Sequence, residues 1–115
     1  MTDHPAAAAA AALIRDLAEA TSASRDAHAN PADIASLTGS LLDLARHLED
    51  ALGHLARQID RSDDDWATAD GERRLPGQYA REASDKVRSA QADARNMARA
   101  LGRSVEALGH LKSAP

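Results

Sequence analysis

The feature that most constrains this chain is a row of large aliphatic residues at steps of three and four. The row consists of Ile34, Leu37, Leu41, Leu44, Leu48, Leu52, Leu55 and Ile59. At about 100° per residue these positions share one side of an α-helix, whereas a strand would need them at every second residue. Ala, the strongest helix former, supplies twenty-eight of the 115 residues, and β-branched and aromatic residues are scarce. We therefore expect an all-α fold.

The helix that carries this row should begin at Pro31 and run to about residue 70. Asn30 has a side chain suited to capping, and Pro31 loses nothing by lacking an N–H in the first turn. Asp33 is favourable near the positive end of the helix macrodipole. The start of this helix is therefore well marked.

The end of this helix has two interpretations. Continuing the same rotation places Trp66 on the leucine row, so the helix would pass through the acidic stretch after Ser62 and stop at Gly71. Alternatively, the helix breaks at Ser62, and one short helix carries Trp66.

A second long helix is predicted over about residues 76–112, with Pro76 at its first position. Its apolar positions are Tyr79, Ala83, Val87, Ala90, Ala94, Met97, Leu101, Val105 and Leu108. Because the middle of this row is Ala, the leucines of the first long helix can lie across it at close range. The two helices should form a long antiparallel hairpin, with Trp66, Leu75 and Tyr79 at its tip.

A shorter, Ala-rich helix is predicted over about residues 5–28, ahead of the hairpin. The three helices predict a three-helix bundle in a single domain, residues 1–115, made of an N-terminal segment over 1–30 and the hairpin over 31–115. The N-terminal helix has few large side chains, so its packing on the hairpin stays an open question.

Charge is distributed unevenly along this acidic chain, whose net charge is −4. Residues 31–75 hold five basic and ten acidic side chains, whereas residues 76–115 hold seven basic and four acidic ones. Opposite charges favour antiparallel packing of the two long helices, or pairing between copies. The overall acidity disfavours nucleic acid as a partner.

The hairpin has little large apolar surface to bury. Ordering each residue costs about 1.5 kcal/mol, and Ala recovers little of that cost by burial. We therefore expect a homo-oligomer or a protein partner.

Five arginines of the second long helix form a candidate interaction surface. They are Arg81, Arg88, Arg95, Arg99 and Arg103. On the expected outer side of the helix they could meet an acidic protein or phosphates, although no aromatic residue lies among them for base stacking. The alternative is a solvated helix face with one Arg81–Asp85 pair.

A second polar group lies on the central helix, at Asp43, His47, Asp50 and His54. These are ligand types for Zn²⁺, but they lie opposite the leucine row and beside Arg57 and Arg61, which indicates a solvated face. The sequence contains neither a glycine-rich phosphate loop nor a His-Glu-x-x-His motif. We expect no metal, no cofactor and no enzymatic activity.

Trp66 and Tyr79 are the only aromatic residues of the chain, and both are candidate interaction residues. A Trp at a hairpin tip either fills the core or anchors a partner.

Cellular location is predicted from absences in the sequence. There is no Cys, and the mostly Ala run over residues 6–14 is far shorter than the roughly 20 apolar residues that span a bilayer. No basic segment precedes that run, as it would in a signal peptide. We expect no membrane association and a cytoplasmic protein, with secretion without a cleavable signal peptide as the alternative.

The arrangement of a leucine-striped helix, Trp66 at the turn and a second helix with Tyr79 near its start resembles the ESAT-6-like (WXG100) helical-hairpin proteins of actinobacteria. That likeness covers about residues 33–111 and implies dimers exported by type VII secretion. Trp66-Ala67-Thr68 departs from the Trp-x-Gly motif of that family, and Pro76 interrupts the place where its second helix should already be running. The composition equally resembles small helical proteins of actinobacterial mobile elements.

These observations predict a non-enzymatic helical module for protein–protein interaction or assembly. One alternative is a secreted hairpin of the type VII kind. A second is a nucleic-acid accessory protein of a mobile element.

Overall fold

A computed structural model describes residues 4–23, 30–62, 65–68 and 75–114. It contains three helices, α1 (Pro5–Ala23), α2 (Pro31–Ser62) and α3 (Pro76–Leu108), and no strand within the described ranges. The all-α prediction is confirmed, with the N-terminal helix the shortest of the three. The predicted last turn of α1 and the predicted stop at Gly71 lie outside the described residues.

The start of α2 is the one that the sequence predicts. The Asp33 N–H donates to Asn30 Oδ1 at 2.8 Å, and the Ile34 N–H donates to the Asn30 carbonyl at 3.2 Å. Asn30 therefore satisfies an N–H group that a helix start leaves without a partner inside the helix.

The predicted continuation of α2 to about residue 70 is wrong, because the helix ends at Ser62. Asp65 has 3₁₀ geometry, and residues 66–68 are irregular, so Trp66 is not helical in either of the ways considered. Three Asp residues follow Ser62 in the sequence, and negative charge opposes the negative end of the helix macrodipole. The repulsion between these Asp residues and the helix end therefore favours termination at Ser62, although the apolar periodicity alone would let the helix continue.

The start of α3 has an unusual cap, because the N-cap residue is Leu75, whose side chain cannot accept a hydrogen bond. Gln78 compensates: its Oε1 accepts from the Leu75 N–H at 3.2 Å, and its own N–H donates to the Leu75 carbonyl at 3.0 Å. Pro76 occupies the first helical position, as predicted. The helix ends at Leu108, four residues before the predicted end at 112.

α2 and α3 pack along each other as an antiparallel hairpin. The buried positions of both helices hold small residues. They are Ala45, Gly53 and Ala56 of α2, and Ala80, Ser84 and Ala94 of α3. The leucine row of α2 is divided by this contact line. Leu37, Leu41, Leu52 and Ile59 are half-buried, as leucines lying across α3 would be, whereas Ile34, Leu44, Leu48 and Leu55 are exposed.

Small residues on both sides let the two helix backbones approach closely. Packing is tight at Gly53, because a Cβ atom at this residue would lie 2.6 Å from Nε2 of Gln91. The Gln91 side chain thus covers the space that any larger residue at position 53 would take. The contact line gives the hairpin its register, with Gly53 level with Gln91.

The open question about α1 has a clear answer in this structure. No described Cα atom of α1 lies within 8 Å of a described Cα atom in α2 or α3. Leu13 is 67% exposed, and Ile14 is exposed as well. Among the described helices, only α2 and α3 therefore pack against each other. Within the described ranges, no helix combines the length and the apolar character that crossing a bilayer requires.

The small-residue contact line predicts that enlarging one of its residues is costly. Ala94 is 2% exposed, so we expect Ala94→Leu to lower the free energy of unfolding by about 1–3 kcal/mol, as overpacking does in tight cores. Urea denaturation followed by circular dichroism measures this change. Ala92→Leu is the matched control, because Ala92 is exposed on the same helix, and its effect should stay within about 0.5 kcal/mol. Equal losses in both variants would contradict the packing described.

The glycines away from the contact line predict a gain in stability. Nothing lies within 4 Å of a Cβ atom built on Gly39 or Gly102, both in helix interiors. We expect Gly39→Ala and Gly102→Ala each to raise the free energy of unfolding by about 0.5–1 kcal/mol, since Ala restricts the unfolded chain more than Gly. Thermal melts would show a higher midpoint for each variant. A lower midpoint for either would mean that the glycine makes a contact absent from this structure.

Candidate interaction surfaces

Two of the five candidate arginines do not lie on the outer side of α3, as the sequence suggested, but reach across to α2. Arg95 Nε donates to Glu49 Oε1 at 2.6 Å, and the guanidinium of Arg88 pairs with Asp60. Arg88 Nη1 also donates to Ser84 Oγ at 3.2 Å, on its own helix. The expectation from opposite helix charges, that α2 and α3 attract each other, is confirmed by these two pairs.

The Arg88–Asp60 pair changes the acidity of Asp60. The hydrogen bond from Arg88, followed by that from Ser84, holds the pKa of Asp60 below its ordinary value of 3.8. Both partners remain nearly half exposed, so solvent screens the pair and its contribution to stability is modest. Its structural effect is to fix one side of the hairpin, because the two pairs tie α2 to α3 at separate points.

The other three candidate arginines, Arg81, Arg99 and Arg103, are exposed along α3. Within the described part of the chain none of them forms an ion pair, and the predicted Arg81–Asp85 pair is not formed. The continuous arginine row of the sequence is therefore divided into two paired and three solvent-facing residues.

The large apolar residues lie on the other side of the hairpin. Leu44, Leu48 and Leu55 of α2 are 39–44% exposed, and Met97 of α3 is 45% exposed. Because the fully buried residues of the described ranges are small, these side chains hold much of the apolar surface there. Their exposure leaves that surface in contact with water.

Helix geometry shows that these residues share one side. At about 100° per residue, Leu48 lies about 60° from Ala45 in one direction, and Glu49 lies about 40° in the other. On α3, Met97 lies about 60° from Ala94, on the side opposite to Arg95. The Glu49–Arg95 pair bridges the helices on one side of the hairpin, so Leu48 and Met97 both lie on the other.

We call the two sides the ion-pair face and the apolar face. The ion-pair face consists of Glu49, Asp60, Arg88 and Arg95. The apolar face consists of Leu44, Leu48, Leu55, Ala83, Ala90 and Met97. The small residues of α3 on the apolar face leave it shallow and able to accept another helix closely.

The tip of the hairpin holds a cleft of about 390 Å³. Its lining residues are Trp66, Ala67, Thr68, Pro76, Tyr79, Ala80 and Ala83. Trp66 is 46% exposed, so it lines this cleft and does not fill the core. Tyr79 lines the same cleft, whereas Leu75, which was expected to help close the tip, is 68% exposed. Ala83 belongs to both the cleft and the apolar face, which makes the two surfaces continuous.

The polar group at Asp43, His47, Asp50 and His54 is exposed on the solvent side of α2. Among the described residues no group of three or more His, Cys, Asp or Glu side chains is arranged to hold a metal ion. This part of α2 is therefore a solvated polar face on which the described side chains do not form a metal site.

Sequence reasoning named Trp66, Tyr79 and the arginines but did not identify the exposed leucines and Met97. The missed signal is the offset between two periodic rows on α2, the large row through Leu48 and the small row through Ala45, Gly53 and Ala56. Which row faces the partner helix depends on how closely the two backbones approach.

Comparison of the chain with protein-family models, with characterised proteins and with solved structures found no match. The resemblance to ESAT-6-like hairpins and to mobile-element proteins stays a prediction from the residues named above.

The lowered pKa of Asp60 predicts a pH-dependent contribution to stability. A carboxyl group whose pKa is lowered by folding stabilises the fold above its ordinary pKa, and this contribution is lost as the pH falls through the folded value. We expect Asp60→Asn to be less stable than the wild type at about pH 7, and the difference to shrink below about pH 4. Urea titrations at a series of pH values measure both.

The control for this prediction is Asp50→Asn, which makes the same chemical change on the solvent side of α2. Asp50 has no ion pair in the described part of the chain, so its variant should differ little from the wild type at neutral pH. A stability difference for Asp60→Asn that does not change with pH would contradict the assigned role of its charge.

Proposed function

We propose that this chain is a non-enzymatic helical assembly module, whose apolar face packs against a second helical surface. The observation that carries the proposal is the exposure of Leu44, Leu48, Leu55 and Met97 on one side of a hairpin whose buried residues are small. Soluble monomers rarely leave a continuous apolar surface of more than a few hundred Å² in water. Association would bury this surface at a gain of about 25 cal/mol per Å² of apolar area.

The shape of the face supports a helical occupant. The exposed leucines of α2 form one ridge beside the small residues Ala83 and Ala90 of α3, and Met97 stands beyond them on α3. A helix packs its own side chains into such a groove at an axis separation of 8–10 Å. The Trp66 cleft continues the groove at the tip and provides space for a large side chain.

The arginines support protein binding over nucleic-acid binding. Arg88 and Arg95 are already neutralised by Asp60 and Glu49, so fewer cations remain to release counterions from a phosphate backbone. The cytoplasm is the location that we attach to this proposal, and export as a type VII-like hairpin is the alternative.

Replacing leucines on the apolar face should prevent association. We expect the wild-type chain to sediment as an assembly at micromolar concentration, or to co-purify with a partner protein from its host. The double variant Leu48→Gln, Leu55→Gln should lose either form of association, because two buried Leu contacts are worth several kcal/mol at an interface centre.

Leu111→Gln is the matched control, because Leu111 is exposed beyond the end of α3 and outside the apolar face. Circular dichroism of both variants verifies that the hairpin remains helical. Association that survives in Leu48→Gln, Leu55→Gln with unchanged strength would refute the proposal.

A further inference from the structure

We infer that the occupant of the apolar face is a second copy of this chain, bound in antiparallel orientation about a two-fold axis close to Ala90. This inference rests on the proposed function and specifies its partner. Three observations support it: two opposite charges lie beside the face, the register of the hairpin fits a two-fold axis, and the face is large enough for a dimer.

Lys86 and Asp93 border the apolar face on α3. Both are exposed, and neither has an ion pair in the described part of the chain. They are seven residues apart, two helical turns, so they lie on the same side of α3 beside Met97 and Ala90. A pair of this kind is self-complementary when a second α3 runs in the opposite direction.

A two-fold interface requires that if residue i contacts residue j of the other copy, then j contacts i. Crossing the two α3 helices antiparallel at Ala90 places Lys86 of each copy beside Asp93 of the other. Both symmetric pairs then form at the rim of the interface. The small side chain of Ala90 allows the two α3 backbones to approach closely at the centre, and Ala83 of each copy leaves space for Met97 of the other.

The hairpin register extends this arrangement to α2. Since Gly53 is level with Gln91, Leu55 is level with the proposed axis near Ala90. Leu55 of each copy would therefore meet its own symmetry mate, as residues on a two-fold axis do. The rim of α2 beside the leucines holds Ser40, Ala51 and Gln58, so no like charges oppose each other there.

The same axis brings Leu44 of the second copy to the level of Trp66. The cleft between Trp66 and Tyr79 is about 390 Å³ and mostly apolar, which suits an aliphatic side chain. In the dimer the tip cleft of one copy would therefore contact the leucine ridge of the other.

The size of the face is sufficient for a dimer. Around the proposed axis the α3 helices overlap from Tyr79 to Ala100, about 32 Å at about 1.5 Å per residue. Two helices side by side give a width of about 20 Å, hence an area on the order of 600 Å² per copy. This value corresponds to the lower end of the range for specific interfaces, about 1,200 Å² in total.

A single introduced cysteine tests the position of the axis, because the natural chain contains no Cys. We expect the full-length variant Ala90→Cys to form a disulfide-linked dimer on mild oxidation at micromolar concentration, with its helical circular dichroism unchanged. Ala92→Cys places the thiol on the opposite side of the same helix and should remain largely monomeric. No dimer from Ala90→Cys, or equal dimer formation from both variants, would overturn the inference.

Charge exchange tests the orientation. Lys86→Asp and Asp93→Lys should each weaken dimerisation about tenfold in sedimentation equilibrium, because each change converts two symmetric attractions into repulsions. The double variant Lys86→Asp, Asp93→Lys restores opposite charges in the same two pairs and should recover nearly the wild-type constant. Single variants without effect, or a double variant as weak as the singles, would overturn the antiparallel orientation.

The outcomes separate this inference from the proposed function. A wild-type chain that stays monomeric, yet binds a host protein in a manner that Leu48→Gln, Leu55→Gln abolishes, overturns self-association and leaves the assembly role intact. A dimer that these leucine changes do not weaken overturns both.

Discussion

The close approach of α2 and α3 along a line of small residues is the constraint on which the rest of this structure depends. The buried residues are Ala45, Gly53 and Ala56 on α2 and Ala80, Ser84 and Ala94 on α3, so the two backbones can lie near each other. Leu44, Leu48 and Leu55 of α2 lie to one side of this line and are exposed. A hairpin built in this way gains close packing of its backbones and exposes much of its large apolar surface.

The two faces of the hairpin follow from that arrangement. On one side Arg88 and Arg95 span the contact line to Asp60 and Glu49, which is possible because small residues bring the helices within reach of each other. On the other side Leu48 and Met97 remain half exposed. Ion pairs of this kind are screened by solvent and stabilise little, so they orient the hairpin more than they hold it together. The apolar face, in contrast, offers a substantial gain to any chain that covers it.

Association is the function that we propose from these features. α1 makes no described contact with the hairpin and leaves the apolar face uncovered. The tip cleft between Trp66 and Tyr79 adjoins that face through Ala83. Opposite charges at Lys86 and Asp93 border the face at a spacing that an antiparallel second copy can satisfy twice. One surface therefore contains an apolar ridge, a recess of side-chain size and a charge pattern that can set orientation.

The sequence by itself determined the three helices and where each begins, because these depend on local chemistry: the leucine periodicity, the Asn30 cap and the prolines at the first helical positions. It also determined that α2 and α3 carry opposite charge. Only the tertiary structure decided that the fully buried positions of the two helices hold small residues, that Leu44, Leu48 and Leu55 stay exposed, and that Arg88 and Arg95 reach across to α2. Two apolar rows on one helix compete for the same partner, and the choice between them depends on backbone separation, which arises only when both helices are placed together.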